Sequence, residues 1–351
     1  MIRSPNKKVM SKGKKIALWI VCSFTAVILA VAVTAVSLWY SGRSSMTDND
    51  VIINNGNATQ STDENSVEYQ GKKYKYNDNM TTVLCMGIDN EKEQSGGAYI
   101  TGQAGQADAI YLIAIDTSTG KSTVIGIPRD IMTDIDIYTK SGSLAGTQTK
   151  QLCLAFAYGD GKDESAKNTA KSVSRLLYGM PVNTYFAVDD KSIAPLHNAV
   201  GPITVIPNED INYPFISFKK GVEYKLTGSN VFEYLRTRNS DTADASVLRL
   251  ERQIDYLKKY SAAVIKKTSG DFLFPVKLYN KTVKNAVTNL DVGRVTYLAT
   301  SVFKNRSDVS LEFKKIKGSQ IVGESGFAEF YADEDELLKL VMETFYTEIE
   351  A

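Results

Sequence analysis

The chain has 351 residues, with 41 Lys+Arg, 40 Asp+Glu, one His and three Cys. At 43% apolar and 23% charged residues it has the composition of a folded chain, which excludes wholesale disorder and a multi-span membrane protein. One His and three Cys leave little material for His-based catalysis, a zinc site or a disulfide framework.

The formal net charge of +1 is a cancellation. Residues 1–15 hold Arg3, Lys7, Lys8, Lys12, Lys14 and Lys15 and no acid, so the remainder carries −5. This basic tail precedes Ile16–Tyr40, 25 residues without charge or proline. As a helix of about 37 Å the stretch crosses a hydrocarbon core of about 30 Å with tilt. Trp19 and the Trp39-Tyr40 pair stand near its ends, where aromatic rings favour the headgroup level. Six basic residues before it, against Arg43 shortly after, put the N-terminus in the cytoplasm and the rest of the chain outside. A cleaved signal peptide is the alternative, with Ala35-Val36-Ser37 as its small-x-small site, although the run exceeds the roughly 7–15 residues of a signal h-region. Residues 41–66 are polar and lack an apolar period, which predicts a flexible linker.

From Val67 onward short aromatic and β-branched runs begin. Thr82–Ile88 reads as a buried strand running into Asp89. Asp108 opens a second run, Ala109–Ile115, and the turn residues Thr117-Ser118-Thr119-Gly120 join it to a third strand, Ser122–Ile127, stopped by Pro128. That hairpin delivers Arg129-Asp130. Cys85 and Cys153 lie in apolar runs, as buried thiols or as a bridged pair. Ser165–Tyr178 has helical spacing with Gly179 as its stop, Thr184–Val188 is strand-like, Lys191–Ala199 is a short helix and Ile203–Ile206 another strand. Helical pattern resumes at Ser229–Leu235 and Ser246–Lys259. Interleaved strands and helices predict one α/β domain.

Two features point to chemistry. Asp89 ends one predicted strand and Asp108 begins the next, so antiparallel pairing would bring both acids to one rim. Paired carboxylates without His or Cys favour a hard cation such as Mg²⁺; the bland alternative is a pair of turn-capping aspartates. Arginine is concentrated in YLRTRNSDTADASVLRLERQ. Arg236 and Arg238, two apart, face the same way on extended chain, while Arg249, Arg252, Gln253 and Tyr256 form one helical stripe opposite Val247, Leu250, Ile254 and Leu257. With Arg129, this density suits phosphate oxygens, which the guanidinium fork binds bidentately; a solvated helix face with surface ion pairs is the alternative. An acidic outer part does not suit nucleic acid. His197 has no spaced nucleophile or acid and reads as a surface or core histidine.

Together these segments resemble the LytR-CpsA-Psr family of bacterial cell-envelope proteins. The matching stretches are TTVLCMGID at 81–89, ADAIYLIAIDTSTGKSTVIGIPRD at 107–130, KQLCLAFAYGDG at 150–161, NAVGPITVIP at 198–207, and GVEYKLTGSNVFEYLRTRNSD with RLERQ at 221–241 and 249–253. The resemblance implies a mixed β-sheet flanked by helices behind one N-terminal transmembrane helix. The implied division is a cytoplasmic tail over 1–15, the span over 16–40, the linker over 41–66, a catalytic domain over 67–260 and a C-terminal extension over 261–351 packed on it. It implies transfer of a polyprenyl-pyrophosphate-linked glycopolymer (teichoic acid, capsule or another wall glycan) to peptidoglycan at the membrane of a Gram-positive bacterium. Asp89 and Asp108 match the positions associated with Mg²⁺ or Mn²⁺, and Arg129, Arg236, Arg238, Arg249, Arg252 and Gln253 the pyrophosphate-holding stretch. Arg129, Asp130 and Asp108 are the catalytic candidates, Asp130 either as a base or as the ion-pair partner of Arg129. Two departures stand out: Gln106 occupies a position that is often Arg, and Gly201-Pro202 replaces a Gly-Gly. A non-catalytic polyprenyl-phosphate-binding module and a pyrophosphate hydrolase are the alternative functions.

Overall fold

The computed structural model describes residues 34–46, 59–60, 66–89, 104–139, 141–213, 216–237, 244–304, 309 and 311–349. Its central sheet has six strands, in chain order β1 (Met80–Asp89), β2 (Gln106–Asp116), β3 (Ser122–Ile127), β4 (Tyr185–Asp189), β5 (Ala286–Thr288) and β6 (Leu311–Lys315). They are hydrogen-bonded in the order β5-β4-β1-β2-β3-β6. β2 runs antiparallel to both β1 and β3, whereas β4 lies parallel to β1 and β6 parallel to β3, so the sheet is mixed.

The helices that matter here are α1 (Asp163–Leu176), α2 (Ile193–Val200), α3 (Val231–Arg236), α4 (Ala245–Gly270), α5 (Phe274–Thr282), α6 (Val292–Val302) and α7 (Glu334–Phe345). On one face of the sheet Leu84, Met86, Ile110 and Leu112 join Ala166, Ala170 and Val173 of α1 and Leu337, Val341 and Phe345 of α7 in the main core. On the other, Tyr111 and Val124 pack against Leu250 and Ile254 of α4. Burial on both faces is why β1 and β2 read as nearly continuous apolar runs instead of alternating ones. α4 continues 11 residues past the expected end at Lys259, because Ala263 and Val264 go on packing against the lobe of α2, α3 and their short strands. The expected strand over Ile203–Ile206 forms as Ile203–Val205, but pairs with Tyr224–Leu226 outside the central sheet. Both edge strands, β5 and β6, come from beyond residue 260, so the C-terminal stretch completes the sheet.

Of the expected membrane span only residues 34–40 fall among the described ones, where they are helical together with residues 41–44. No helix among the described residues is long and apolar enough to cross a membrane. The first residues of the expected linker are not loose: the helix continues through them, and Met46 is buried with Val83 and Tyr297. Trp39 packs edge-on against Tyr297 with ring centroids 5.7 Å apart. A Cβ on Gly42 would lie 2.3 Å from the Gly293 carbonyl oxygen, so only glycine permits this approach.

The hairpin Met132–Tyr138 with Leu144–Gln151 follows Arg129-Asp130 and is tied to α1 through Asp136. This fully buried carboxylate accepts from Lys171 Nζ at 2.7 Å, Arg175 Nη1 at 2.8 Å and Thr147 Oγ1 at 2.8 Å. Burial pushes its pKa up, but the bonds from Arg175, Lys171 and Thr147 outweigh burial and hold it near about 2. A depressed carboxylate stabilises the fold above its unfolded pKa of about 3.9 and loses that contribution as pH falls through the folded value. Thermal unfolding followed between pH 5 and pH 2 should therefore register a loss of about 2 kcal/mol from this group between about pH 4 and pH 2. Asp136→Asn should be less stable at neutral pH and lack that part of the acid slope.

Candidate active site

The two carboxylates reach one rim through an irregularity in strand pairing. Along β1, Leu84, Met86 and Ile88 enter the main core, so Cys85, Gly87 and Asp89 face the opposite side. Across the ladder Gly87 opposes Ala109 and Ile88 opposes Ala107, leaving Asp108 as the extra residue of a β-bulge. In a regular strand Asp108 would share the face of Ile110 and Leu112 and point into the core. The bulge instead turns Asp108 and Ala109 together toward a cavity of about 300 Å³.

That cavity lies between the sheet and α2, α3 and α4. Its walls are apolar, with Phe186, Ile193, Leu196, Phe232, Leu257 and Tyr260 among them, and Asp89, Asp108, Arg236 and Arg249 also line it. Along α4 the residues facing it are Arg249, Gln253, Tyr256, Leu257 and Tyr260, one helical stripe that turns from polar to apolar. Gln253 is held at both ends of its amide: Tyr111 Oη donates to its Oε1 at 2.8 Å, and its Nε2 donates to the Leu235 carbonyl at 3.0 Å. Arg236 also lines the cavity, with its guanidinium 5.6 Å from the Phe232 ring centroid. Asp189 and Asp190 contribute to the lining as well, which sequence reasoning missed. The signal was available: Asp189 ends a strand parallel to β1 and pairs with Ile88, beside Asp89.

Asp108 stands between two guanidiniums. Arg129 Nη1 donates to its Oδ1, while Arg249 Nη1 lies 3.6 Å from its Oδ2 and Arg249 Nη2 donates to its backbone carbonyl at 3.2 Å. Arg129 Nη2 donates to Gln106 Oε1 and lies 3.1 Å from Cys153 Sγ. Its Nε lies 3.2 Å from Asp130 Oδ1. Burial works against the Arg129 charge, but Cys153, Asp108 and Asp130 outweigh burial and raise its pKa. Arg129 thus orients Asp108 from behind and does not itself line the cavity. Asp130 is buried against Arg129, its Oδ2 without a hydrogen-bond partner among the described residues, and it too lies outside the lining. Gln106, where a second arginine was the common form, supplies an acceptor to Arg129 instead of a repelling charge.

The remaining candidates divide. Arg252, expected on the anion-facing stripe, is buried and turned away: Nη1 donates to Glu209 Oε1 at 2.5 Å and Nη2 to the Thr237 carbonyl. Thr237 directly follows the last residue of α3, so this arginine staples the end of α3 to α4. Arg238 lies outside the described residues. Cys85 and Cys153 are unbridged, and burial pushes their thiols up to about 12 and about 11, which removes them as nucleophiles at neutral pH. His197 is a core residue: its Nε2 lies 3.1 Å from the Leu226 carbonyl and its Nδ1 2.9 Å from Tyr256 Oη, and burial lowers its pKa. A neutral ring that donates from Nε2 and accepts at Nδ1 satisfies both contacts.

The model of the LytR_cpsA_psr family matches residues 44–345. The polyisoprenyl-teichoic acid–peptidoglycan teichoic acid transferase TagU of Bacillus licheniformis is 25% identical over 335 residues, 95% of this chain and 95% of its own length. The crystal structure of Bacillus subtilis TagV superposes with a TM-score of 0.56 at 22% identity, covering 76% of this chain and 96% of that one. A structure of TagT bound to LI-WTA gives a TM-score of 0.53 at 20% identity, covering 76% and 89%. At these identities the structural likeness establishes the mixed α/β fold.

Removing one partner of a buried pair strands the other charge, at about 3–5 kcal/mol. Arg252→Ala should accordingly lower stability by that amount, read as a shift in the denaturant midpoint with unchanged slope.

Proposed function

The chain belongs to the LytR_cpsA_psr family, and from that premise we propose that it is a membrane-anchored phosphotransferase that moves a polyprenyl-pyrophosphate-linked wall glycopolymer onto peptidoglycan through a phosphodiester bond. The observation that carries this reading is the polarity of the cavity, apolar along its walls and bounded by Asp89, Asp108, Arg236 and Arg249. An isoprenoid tail ending in a pyrophosphate has the same profile. The volume of about 300 Å³ stands at the lower end of small-molecule sites, about 300–1,000 Å³, so the cavity takes only part of such a tail. Relatives supply the polymer class: TagU of Bacillus licheniformis is named for transfer of teichoic acid to peptidoglycan, and the TagT neighbour is bound to LI-WTA.

Asp89 and Asp108 offer hard oxygen donors, and among the described residues no three His, Cys, Asp or Glu converge into a complete metal cage. That donor set fits Mg²⁺ or Mn²⁺, which take one or two carboxylates together with substrate phosphates. Such an ion, when bound, supplies positive charge to the pyrophosphate oxygens. Arg236 and Arg249 bind the remaining phosphate oxygens, and Arg129 keeps Asp108 aimed at the cavity. A peptidoglycan hydroxyl then attacks the phosphorus attached to the glycopolymer, the bond from that phosphorus to the bridging oxygen breaks, and polyprenyl phosphate leaves with the proton that the hydroxyl gives up. Catalysis of this kind is mostly positioning and electrostatic stabilisation. Ile16–Tyr40 anchors the domain at the outer face of the membrane, where the lipid-linked donor and the wall acceptor meet.

Full-length protein given a labelled polyprenyl-pyrophosphate glycan and peptidoglycan should transfer label to the wall, and chelation should abolish transfer until Mg²⁺ or Mn²⁺ is restored. Asp108→Ala and Arg129→Ala should each reduce the rate by about 10²-fold or more. Transfer by both variants at the parent rate would refute the enzymatic reading. Release of soluble phosphoglycan would mark water as the acceptor, and lipid binding without either product a non-catalytic module.

A further inference from the structure

The acidic outer part of the chain holds a strongly basic stretch. Between Tyr256 and Leu290 there are seven lysines and a single carboxylate, Asp271. At its centre, in the turn joining α4 to α5, Phe272 and Leu273 are 41% and 60% exposed. Lys266, Lys267 and Lys277 are exposed around them, and Lys277 already neutralises Asp271 at 2.6 Å. Apolar side chains standing out of a lysine collar match the layered chemistry of a bilayer with anionic headgroups.

The path of the chain indicates the same occupant. The helix over 34–44 meets α6 with Gly42 against Gly293, and Trp39, one turn earlier, against Tyr297, one turn further along α6. Its N-terminal residues therefore lie toward the end of α6, where Phe303 packs on Phe272 with ring centroids 6.5 Å apart. Val36, Leu38 and Tyr40 of that helix are exposed. The described end of the uncharged stretch, residues 34–40, thus lies on the side of the molecule that carries the Phe272–Leu273 tip.

We propose that the lysine-collared turn at Phe272 and Leu273 rests in the headgroup layer of an anionic membrane and sets the orientation of the domain. The consequence follows along α4: Arg249 at the acid-and-arginine end of the cavity, Tyr260 in its apolar part, and the membrane-facing tip beyond Gly270, roughly 35 Å from Arg249 at 1.5 Å per residue. The apolar part of the cavity then faces the bilayer and the charged rim faces the wall. This orientation rests on the reading of Ile16–Tyr40 as a retained span.

A photo-activated benzophenone amino acid placed at Leu273 in the full chain, reconstituted in nanodiscs containing anionic lipid, tests the contact. A control carries the same group at Val322, 64% exposed on the Gly318–Val322 strand, whose Gln320 bonds Ser246 at the opposite end of α4. Lipid adducts measured by mass spectrometry should be at least 10-fold more abundant at position 273, and Lys266→Glu with Lys267→Glu should reduce them. Equal adducts at both positions, adducts at 273 unaffected by the two charge reversals, or none at 273 from protein that still resists carbonate extraction, would overturn the orientation while leaving the span intact. Release of the protein by carbonate would overturn the span and the orientation together.

Discussion

The carboxylate of Asp108 faces an apolar cavity, and what keeps it there is the guanidinium behind it. Arg129 donates to Asp108 from a partly buried position, and Arg249 approaches the other carboxylate oxygen from α4. An ionised acid on an apolar wall is expensive unless a charged donor stands next to it, so the pair is a condition for the cavity as well as a part of its chemistry. The surrounding fold can be understood as what holds these three groups in register. The β2–β3 hairpin carries Arg129, the bulge in β2 turns Asp108, and α4 brings Arg249 across the sheet.

Each supporting element has its own physical reason. Pro128 ends the strand, and the chain behind it is fixed by bonds from Leu152 N to the Ile131 carbonyl and from Cys153 N to the Arg129 carbonyl. Gln106 accepts from the second Arg129 nitrogen, which leaves the guanidinium one orientation instead of several. α4 sits close enough to the sheet because Gly126 offers no side chain where Ile254 packs; a Cβ there would lie 2.8 Å from Ile254 Cδ1. Arg252, one turn from Arg249, secures the end of α3 and with it the segment that carries Arg236. Two arginines three residues apart on one helix therefore do different work: one faces the cavity and the other braces the lobe that closes it.

The strand runs Thr82–Ile88, Ala109–Ile115 and Ser122–Ile127, the hairpin between the last two, and the helices around Ser165–Tyr178 and Ser246–Lys259 were all legible because apolar spacing and turn residues are local properties. So was the presence of both acids at strand ends, and the helical stripe that carries Arg249 and Gln253. Less was legible beyond residue 260, where edge strands of three to five residues have no period long enough to read and owe their place to the sheet they complete. The polar hairpin over 132–151 escaped for a related reason, since its register comes from Asp136 and its partners on α1.

What the sequence determined by itself is the inventory and its local order: a basic tail before an uncharged stretch of 25 residues, alternating strands and helices, two aspartates at strand ends and a run of arginines. What only the tertiary structure decided is which of these charges meet. Arg249 and Arg252 share a stripe, yet burial assigns one to the cavity and the other to Glu209. Asp108 reaches the rim through a one-residue bulge, and Arg129 serves it from behind instead of lining the cavity. Spacing along a chain fixes which face a side chain leaves from, whereas the partner it finds depends on segments brought together from far away, and no local pattern encodes that meeting.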